Sequence, residues 1–197
     1  MDNIPTGDET NTFSREEVKE VREKAIAAKS HAEVSAKASE LVSGIVRDQN
    51  KKIVLIGESS HGTSEFYETR AMITRRLIEA KQCFAVVLEA DLPPCAGLHR
   101  FVNGADMTIM EAMQPFAHRF PSWMWANEEM KSFVEWLRDY NMNHPEKERV
   151  SVVGMDLYSL QTSMKDVIAF LKEKDAVLAA RVEHEYSCFA DGKIEPQ

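Results

Sequence analysis

A short turn near residue 60 carries a carboxylate, two hydroxyls and an imidazole. The stretch IVLIGESSHGTSEF, residues 53–66, places Glu58, Ser59, Ser60 and His61 directly after an apolar run. A histidine suits proton transfer at neutral pH, because an unperturbed imidazole has a pKa of about 6.5 and is mostly neutral there. A neighbouring carboxylate can orient the imidazole and stabilise its cation. The turn therefore indicates acid–base chemistry.

Two other chemistries compete for the same residues. A serine nucleophile on a sharp turn would need the pattern G-x-S-x-G, and here His61 stands where the last glycine belongs. The two hydroxyls are therefore expected to bond within the loop. A metal ion could use Glu58, His61, Glu89 and Asp156 as ligands. Zinc sites usually contain more His or Cys than this set, so general-base chemistry is favoured.

Three apolar segments that each end near a carboxylate predict the elements that hold this turn. They are IVLIG (53–57), FAVVLEAD (84–91) and RVSVVGMD (149–156). Helical patterns separate these predicted buried strands, which indicates an α/β fold with a mostly parallel sheet and flanking helices. Ligands of such sheets bind beyond the carboxyl ends of the strands. We therefore expect Glu58, Glu89 and Asp156 to lie on one rim.

Helical periodicity fills most of the remaining chain. An Ala-, Glu- and Lys-rich helical stretch from residue 14 to about 48 is predicted to break near Ser30 and His31. Further helices are predicted at 63–81, with Thr63 or Ser64 as cap, at about 96–103, from Asn127 onwards, and at 160–174. The helix from Asn127 has an apolar face made of Met130, Phe133, Val134 and Leu137. Residues 185–197 show no pattern.

The helix after the turn carries an arginine on its apolar face. At about 100° per residue, Arg70 falls between Phe66 and Ile73, whereas the other charges lie on the opposite face. A buried guanidinium is costly without a partner, and the nearest candidates are Glu58 and Glu89. The pair is either a structural tie between helix and sheet or part of the site.

Four further residues are candidates for substrate binding. Trp123 and Trp125 either line a cleft for a large apolar ligand or belong to the core, which is the favoured interpretation. Asp156 either belongs to the rim or caps the following helix, and the same two interpretations apply to Tyr158.

Composition excludes several classes of protein. The net charge of −8 argues against binding to nucleic acid or to an anionic membrane surface. The polar, acidic start is not a secretory signal, and no apolar run approaches the roughly 20 residues that span a bilayer. Cys83, Cys95 and Cys188 are odd in number and widely spaced, which predicts no disulfide framework and fits a reducing cytoplasm.

Five segments in order resemble the erythromycin esterase-like family of hydrolases. They are LIGESSHGTSEFYETRAMITRRLI (55–78), VVLEAD (86–91), FPSWMWAN (120–127), FVEWLRDYN (133–141) and VGMDLYSL (153–160). The resemblance implies a hydrolase that opens a macrolide lactone or a related ester, in the response to an antibiotic. It also implies a three-layer α/β core and no obligatory metal, nucleotide or other cofactor. By position, it assigns the family's essential residues to Glu58, His61, Arg70 and Glu89.

The resemblance also implies a domain organisation. We expect a disordered tail at 1–13, an N-terminal helical segment at 14–49, the esterase-like domain at 50–190 and a second tail at 191–197. Family members are usually much longer and use a further histidine, so this chain is expected to match their N-terminal half, with an incomplete sheet. The two hypotheses are an active hydrolase with a small ester or lactone substrate, and a non-catalytic remnant that binds a ligand or partner.

Overall fold

The structure is a computed structural model that describes residues 14–25, 27–47, 53–117 and 122–190. Its helices and strands are, in chain order, α1 (Arg15–Lys24), α2 (His31–Arg47), α3 (Ser64–Glu79), β1 (Ala85–Asp91), α4 (Leu92–Val102), α5 (Ile109–Ala117), α6 (Glu128–Met142), β2 (Ser151–Asp156), α7 (Leu160–Lys174) and α8 (Ala176–Ala190). The tails predicted at 1–13 and 191–197 lie outside the described residues.

Strands β1 and β2 form a parallel pair at the centre of the fold. Val86 lies opposite Val152 and Asp91 lies opposite Asp156, with an irregularity in the register before Asp91. The connection from β1 to β2 runs through helices α4 to α6. Parallel pairing across helices is what the alternating pattern predicts, so the predicted α/β fold is confirmed.

The core lies between this sheet and helices α4, α5 and α6. Helix α4 contacts both strands on one side and α5 and α6 on the other. The predicted apolar face of α6 is confirmed, because all four of its residues are buried: Met130, Phe133, Val134 and Leu137. On the other face of the sheet, Val87 and Met155 are largely exposed. In the part of the chain that the structure describes, one face of the sheet therefore holds the core.

A buried asparagine joins three of these elements. Asn141 is fully buried, and its side-chain amide donates hydrogen bonds to the carbonyls of Val102 and Val150. Its side-chain oxygen accepts the N–H of Val150 at 2.8 Å. Helix α6 is thereby tied to the end of α4 and to the entrance of β2.

The prediction of a buried strand at residues 53–57 is wrong. This segment has no strand structure, and the side chain of Leu55 is 90% exposed. Strand preference marks residues that fit a pleated, half-buried surface, and it depends on the presence of a neighbouring strand. Within the described residues, β1 and β2 pair only with each other. The apolar run therefore leads into the turn as an extended loop.

The helix predictions are mostly confirmed, with differences at the ends. The break between α1 and α2 and the start of α3 after Thr63 are as predicted. Helix α4 begins earlier than expected, because Pro93 and Pro94 occupy its first turn, where no N–H is needed. Helix α8 was missed, and its apolar face is weak. None of the described helices is both long and apolar enough to cross a membrane.

Candidate active site

The turn after the apolar loop pairs an imidazole with a carboxylate. His61 Nδ1 lies 2.8 Å from Glu58 Oε1. An ionised carboxylate can only accept hydrogen bonds, so the proton of a neutral imidazole belongs on Nδ1. The His61 side chain is 45% exposed, whereas that of Glu58 is 9% exposed. The pair therefore fixes one ring nitrogen and leaves Nε2, the basic one, available for a reactant.

The second oxygen of the same carboxylate binds the arginine of helix α3. Arg70 Nη1 donates to Glu58 Oε2 at 2.8 Å, and the arginine side chain is 22% exposed. The predicted ion pair is thus confirmed, with Glu58 as the partner. Because both carboxylate oxygens are bound, the orientation of Glu58 is set from two directions.

Two aromatic rings hold the guanidinium. Arg70 Cζ lies 4.6 Å from the centre of the Tyr67 ring and 5.1 Å from that of Trp125. Trp125 is buried, and its Nε1 donates to the backbone carbonyl of Glu89 at 3.1 Å. Cations are attracted to aromatic faces, more strongly where water is excluded. The guanidinium is therefore attached to β1 through Trp125 as well as to the turn.

Gly62 shapes the turn directly after the histidine. Its φ is +85°, a left-handed conformation that L side chains rarely adopt. A Cβ at this position would lie 3.3 Å from Cζ3 of Trp123, and the Gly62 N–H donates to the hydroxyl of Tyr67 at 2.8 Å. A side chain here would strain the backbone and crowd the indole, so glycine is required.

The two tryptophans have different environments. Trp125 belongs to the core, as favoured from the sequence, whereas Trp123 is 47% exposed beside the Gly62 turn. Its indole therefore offers an apolar surface next to His61.

Glu89 does not join the pair of side chains around Glu58. It lies at an exposed position of β1, and its backbone carbonyl accepts the hydrogen bond of Trp125. In the described part of the chain, its carboxylate makes no hydrogen bond or ion pair. The sequence predicted Glu58 at the end of a strand, on one rim with Glu89 and Asp156. Residues 53–57 are not a strand, so Glu58 does not lie at a strand end and is held by side chains instead.

Asp156 and Tyr158 lie after β2. The Asp156 carboxylate accepts the N–H of Leu157 at 2.9 Å, so it caps the turn that follows the strand, and not helix α7, which begins at Leu160. Tyr158 is largely exposed. The hydrogen bond of Asp156 does not involve the imidazole of His61.

The hydroxyl of Ser60 and two of the thiols are not available as nucleophiles. Ser60 Oγ lies 3.2 Å from Thr63 Oγ1, as expected for hydroxyls that stabilise a loop. Burial raises the pKa of the Cys95 thiol to about 12 and also raises the pKa of Cys83. Neither thiol is a nucleophilic thiolate at neutral pH. Among the described residues, no group of three or more His, Cys, Asp or Glu could hold a metal ion.

Tyr67 is a residue of this site that the sequence predictions did not single out. Phe66, which the helical period places on the apolar face of α3, is 36% exposed. The buried residues of this helix are Tyr67, Thr74, Leu77 and Ile78. The available signal was spacing, because a tyrosine three residues before a half-buried arginine lies on the same helical face.

Two comparisons relate the chain to known proteins. The sequence model of the family described as erythromycin esterase matches residues 78–197, more than half of the chain. A crystal structure of a protein from Bacillus cereus is similar with a TM-score of 0.53 and 21% identity, over 76% of this chain and 41% of that chain. At this identity the likeness shows the fold alone. The chain spans less than half the length of that structure.

The matched residues include Glu89 and Asp156 but begin after the turn. Glu58, His61 and Arg70 all precede residue 78. The family match therefore does not assign their roles, which depend on the geometry of the site.

Proposed function

The chain belongs to the erythromycin esterase family, and from this we propose that it is a hydrolase in which His61 activates water to cleave a carboxylic ester. The proposed substrate class is a cyclic ester such as a macrolide lactone, or a related open-chain ester. Family membership supports the hydrolase relationship. The observation that carries the mechanism is the double pairing of Glu58, with His61 Nδ1 and with Arg70 Nη1.

The first step is the attack of water. His61 Nε2 takes a proton from water while the water oxygen bonds to the carbonyl carbon, and the carbonyl electron pair moves onto its oxygen. The imidazolium that forms donates its Nδ1–H to Glu58 Oε1, which stabilises the new positive charge. An ionised Glu58 is needed for this role.

The second step is the collapse of the tetrahedral intermediate. The bond from carbon to the alcohol oxygen breaks, and the proton held on His61 Nε2 passes to that oxygen. The products are a carboxylic acid, which ionises, and an alcohol, joined in one molecule if the substrate was a lactone. His61 returns to its neutral form without a covalent intermediate.

The role of Arg70 follows from its contacts. Its Nη1 is bound to Glu58, and its guanidinium lies close to the aromatic rings of Tyr67 and Trp125. This arrangement supports a role in holding the carboxylate in place, in preference to direct contact with the oxyanion. Glu89 is proposed as a further acid–base carboxylate because it is exposed on the strand whose carbonyl binds Trp125.

The exposed tryptophan supports an apolar substrate. Trp123 lies against Gly62, the residue after the proposed base, and nearly half of its side chain is open. A macrolide ring presents a broad apolar face that such an indole can contact. Asp156 and Tyr158 remain weaker predictions for substrate contact.

The test is hydrolysis of a panel of macrolides, small lactones and simple esters, followed by mass spectrometry for the addition of one water. We expect His61→Ala to lower turnover by about 10²–10⁴-fold, the usual contribution of a general base. The matched control is His184→Ala, which removes an exposed histidine of α8 and should keep the wild-type rate. Equal hydrolysis by wild type and His61→Ala would contradict the mechanism.

The alternative is a domain that binds a ligand or partner without catalysis. Saturable binding of a lactone by a wild-type protein that hydrolyses no compound of the panel would favour this alternative.

A further inference from the structure

We propose that Tyr67 is a positioning residue of this site, which holds the imidazole of His61 and the guanidinium of Arg70 in place relative to Glu58. The catalytic part of this inference rests on the proposed function. Its structural part concerns the orientation of one ring and can be measured without turnover.

The hydroxyl of Tyr67 makes the first contact. It accepts the N–H of Gly62 at 2.8 Å, and the tyrosine side chain is buried. The bonded N–H belongs to the peptide that joins His61 to Gly62. The hydroxyl thus fixes the plane of the peptide directly after the proposed base, in a turn whose next residue has a positive φ.

The ring of Tyr67 makes the second contact. Its centre lies 4.6 Å from Arg70 Cζ, and the same guanidinium also contacts the ring of Trp125. Both Tyr67 and Arg70 belong to α3, three residues apart, so the helix holds them at a constant separation.

One side chain therefore connects the backbone of the turn to the arginine that orients the carboxylate. If the hydroxyl is removed, the Gly62 N–H loses its acceptor in a part-buried position, and the peptide is free to rotate. The imidazole then leaves its alignment with Glu58, although the ring stacking on Arg70 persists. Small losses of alignment at a proton-transfer site reduce the rate much more than they reduce substrate binding.

The variant that tests this is Tyr67→Phe, which removes the hydroxyl and keeps the ring. We expect kcat to fall by about tenfold or more with little change in KM. The matched control is Tyr140→Phe. Tyr140 also uses its hydroxyl for a single hydrogen bond to backbone, the carbonyl of Ile78 at 3.3 Å, and it lies outside the site. Its loss should leave both kinetic constants unchanged.

Nitrogen-15 NMR of labelled histidine gives the readout that a merely structural tyrosine would not change. In the wild type the His61 signals should show the tautomer with its proton on Nδ1. In Tyr67→Phe they should show a mixture of tautomers, and in Tyr140→Phe the wild-type pattern. Cooperative thermal unfolding of both variants shows that they are folded.

The outcomes separate the two proposals. If Tyr67→Phe keeps the wild-type kcat and imidazole signals, or if Tyr140→Phe shows the same changes, the positioning role is wrong and the hydrolase proposal stands. If the wild type hydrolyses no ester but the imidazole signals change only in Tyr67→Phe, the positioning role is supported and the hydrolase proposal fails.

Discussion

Asn141 and Glu58 both have polar side chains that are at most 9% exposed, and their hydrogen bonds are completed in opposite ways. Asn141 binds three backbone groups and is fully buried. Glu58 binds two other side chains, Arg70 and His61, and the second of these is partly exposed. The first set of contacts ends at backbone atoms inside the fold and forms a closed network, whereas the second ends at the partly exposed imidazole of His61 and forms an open one.

The difference indicates what each group is for. A buried polar group whose partners are all backbone atoms fixes the positions of the elements that carry those atoms. A network of side chains that ends at a titratable atom near solvent can pass a change of protonation to a bound molecule. By this criterion Asn141 is a structural group, whereas Glu58 has the contacts that the proposed function requires.

The largest effect should come from breaking the open network. In Glu58→Gln, the new amide can meet the Nδ1–H of His61 only through its oxygen, and it brings no negative charge to stabilise an imidazolium. We expect kcat for the ester that the wild type hydrolyses best to fall by about 10²–10⁴-fold. Rate measurements under substrate saturation check this. A Glu58→Gln protein with wild-type kcat would mean that the contacts of Glu58, like those of Asn141, are structural.

The next effect should come from breaking the closed network. Asn141→Ala leaves the N–H of Val150 and the carbonyls of Val102 and Val150 without their buried partner. Unsatisfied buried groups of this kind cost about 1–3 kcal/mol each before relaxation, so a loss of about 3 kcal/mol in the free energy of unfolding is expected. Urea denaturation measures this loss.

The activity of Asn141→Ala tests whether the contacts of Asn141 are independent of those of Glu58. The folded fraction of Asn141→Ala should hydrolyse ester at the wild-type rate, because no contact of Asn141 reaches the turn. A fall in kcat per folded molecule would show that the two networks are coupled.

The smallest effect is expected at an exposed ion pair, which belongs neither to the contacts of Asn141 nor to those of Glu58. Lys81 Nζ lies 2.6 Å from Glu148 Oε2, and this contact lowers the pKa of Glu148 and raises that of Lys81. A lowered carboxyl pKa means that the stabilisation is present above about pH 4.5 and is lost as the pH falls through the folded value. The raised lysine pKa means that it is lost again as the pH rises above 10.5.

Thermal unfolding of wild type and Glu148→Gln across pH measures this contribution. The difference in Tm should be small near neutral pH, because water screens exposed pairs, and it should disappear below pH 4.5. A difference that grows in acid would mean that another group controls the titration.

Sequence patterns predicted the parts of this molecule that depend on local periodicity. The apolar face of α6 and the strands β1 and β2 follow from spacing alone. The need of Arg70 for a partner also followed, because its place on the helix is fixed by the period and the cost of an unpaired guanidinium is general. The choice of Glu58 over Glu89 did not, because it depends on the path of residues 53–58.

The misassigned features depend on neighbours that a local pattern does not contain. Residues 53–57 have the composition of a strand, and no strand lies beside them among the described residues. Tyr67 has the pattern of an ordinary core aromatic, and its hydroxyl partner is a backbone N–H in a loop. Both outcomes are set by tertiary structure, which a single sequence indicates only weakly.

The exposed loop before the turn has a consequence for handling the protein. Residues 53–57 combine high strand preference with open apolar side chains, and Leu55 is almost fully accessible. Two molecules that meet through such segments gain backbone hydrogen bonds and bury apolar surface together, which is how edge-to-edge aggregation begins. Dilute samples, or a lysine in place of Leu55, should therefore remain monodisperse for longer than concentrated wild-type samples.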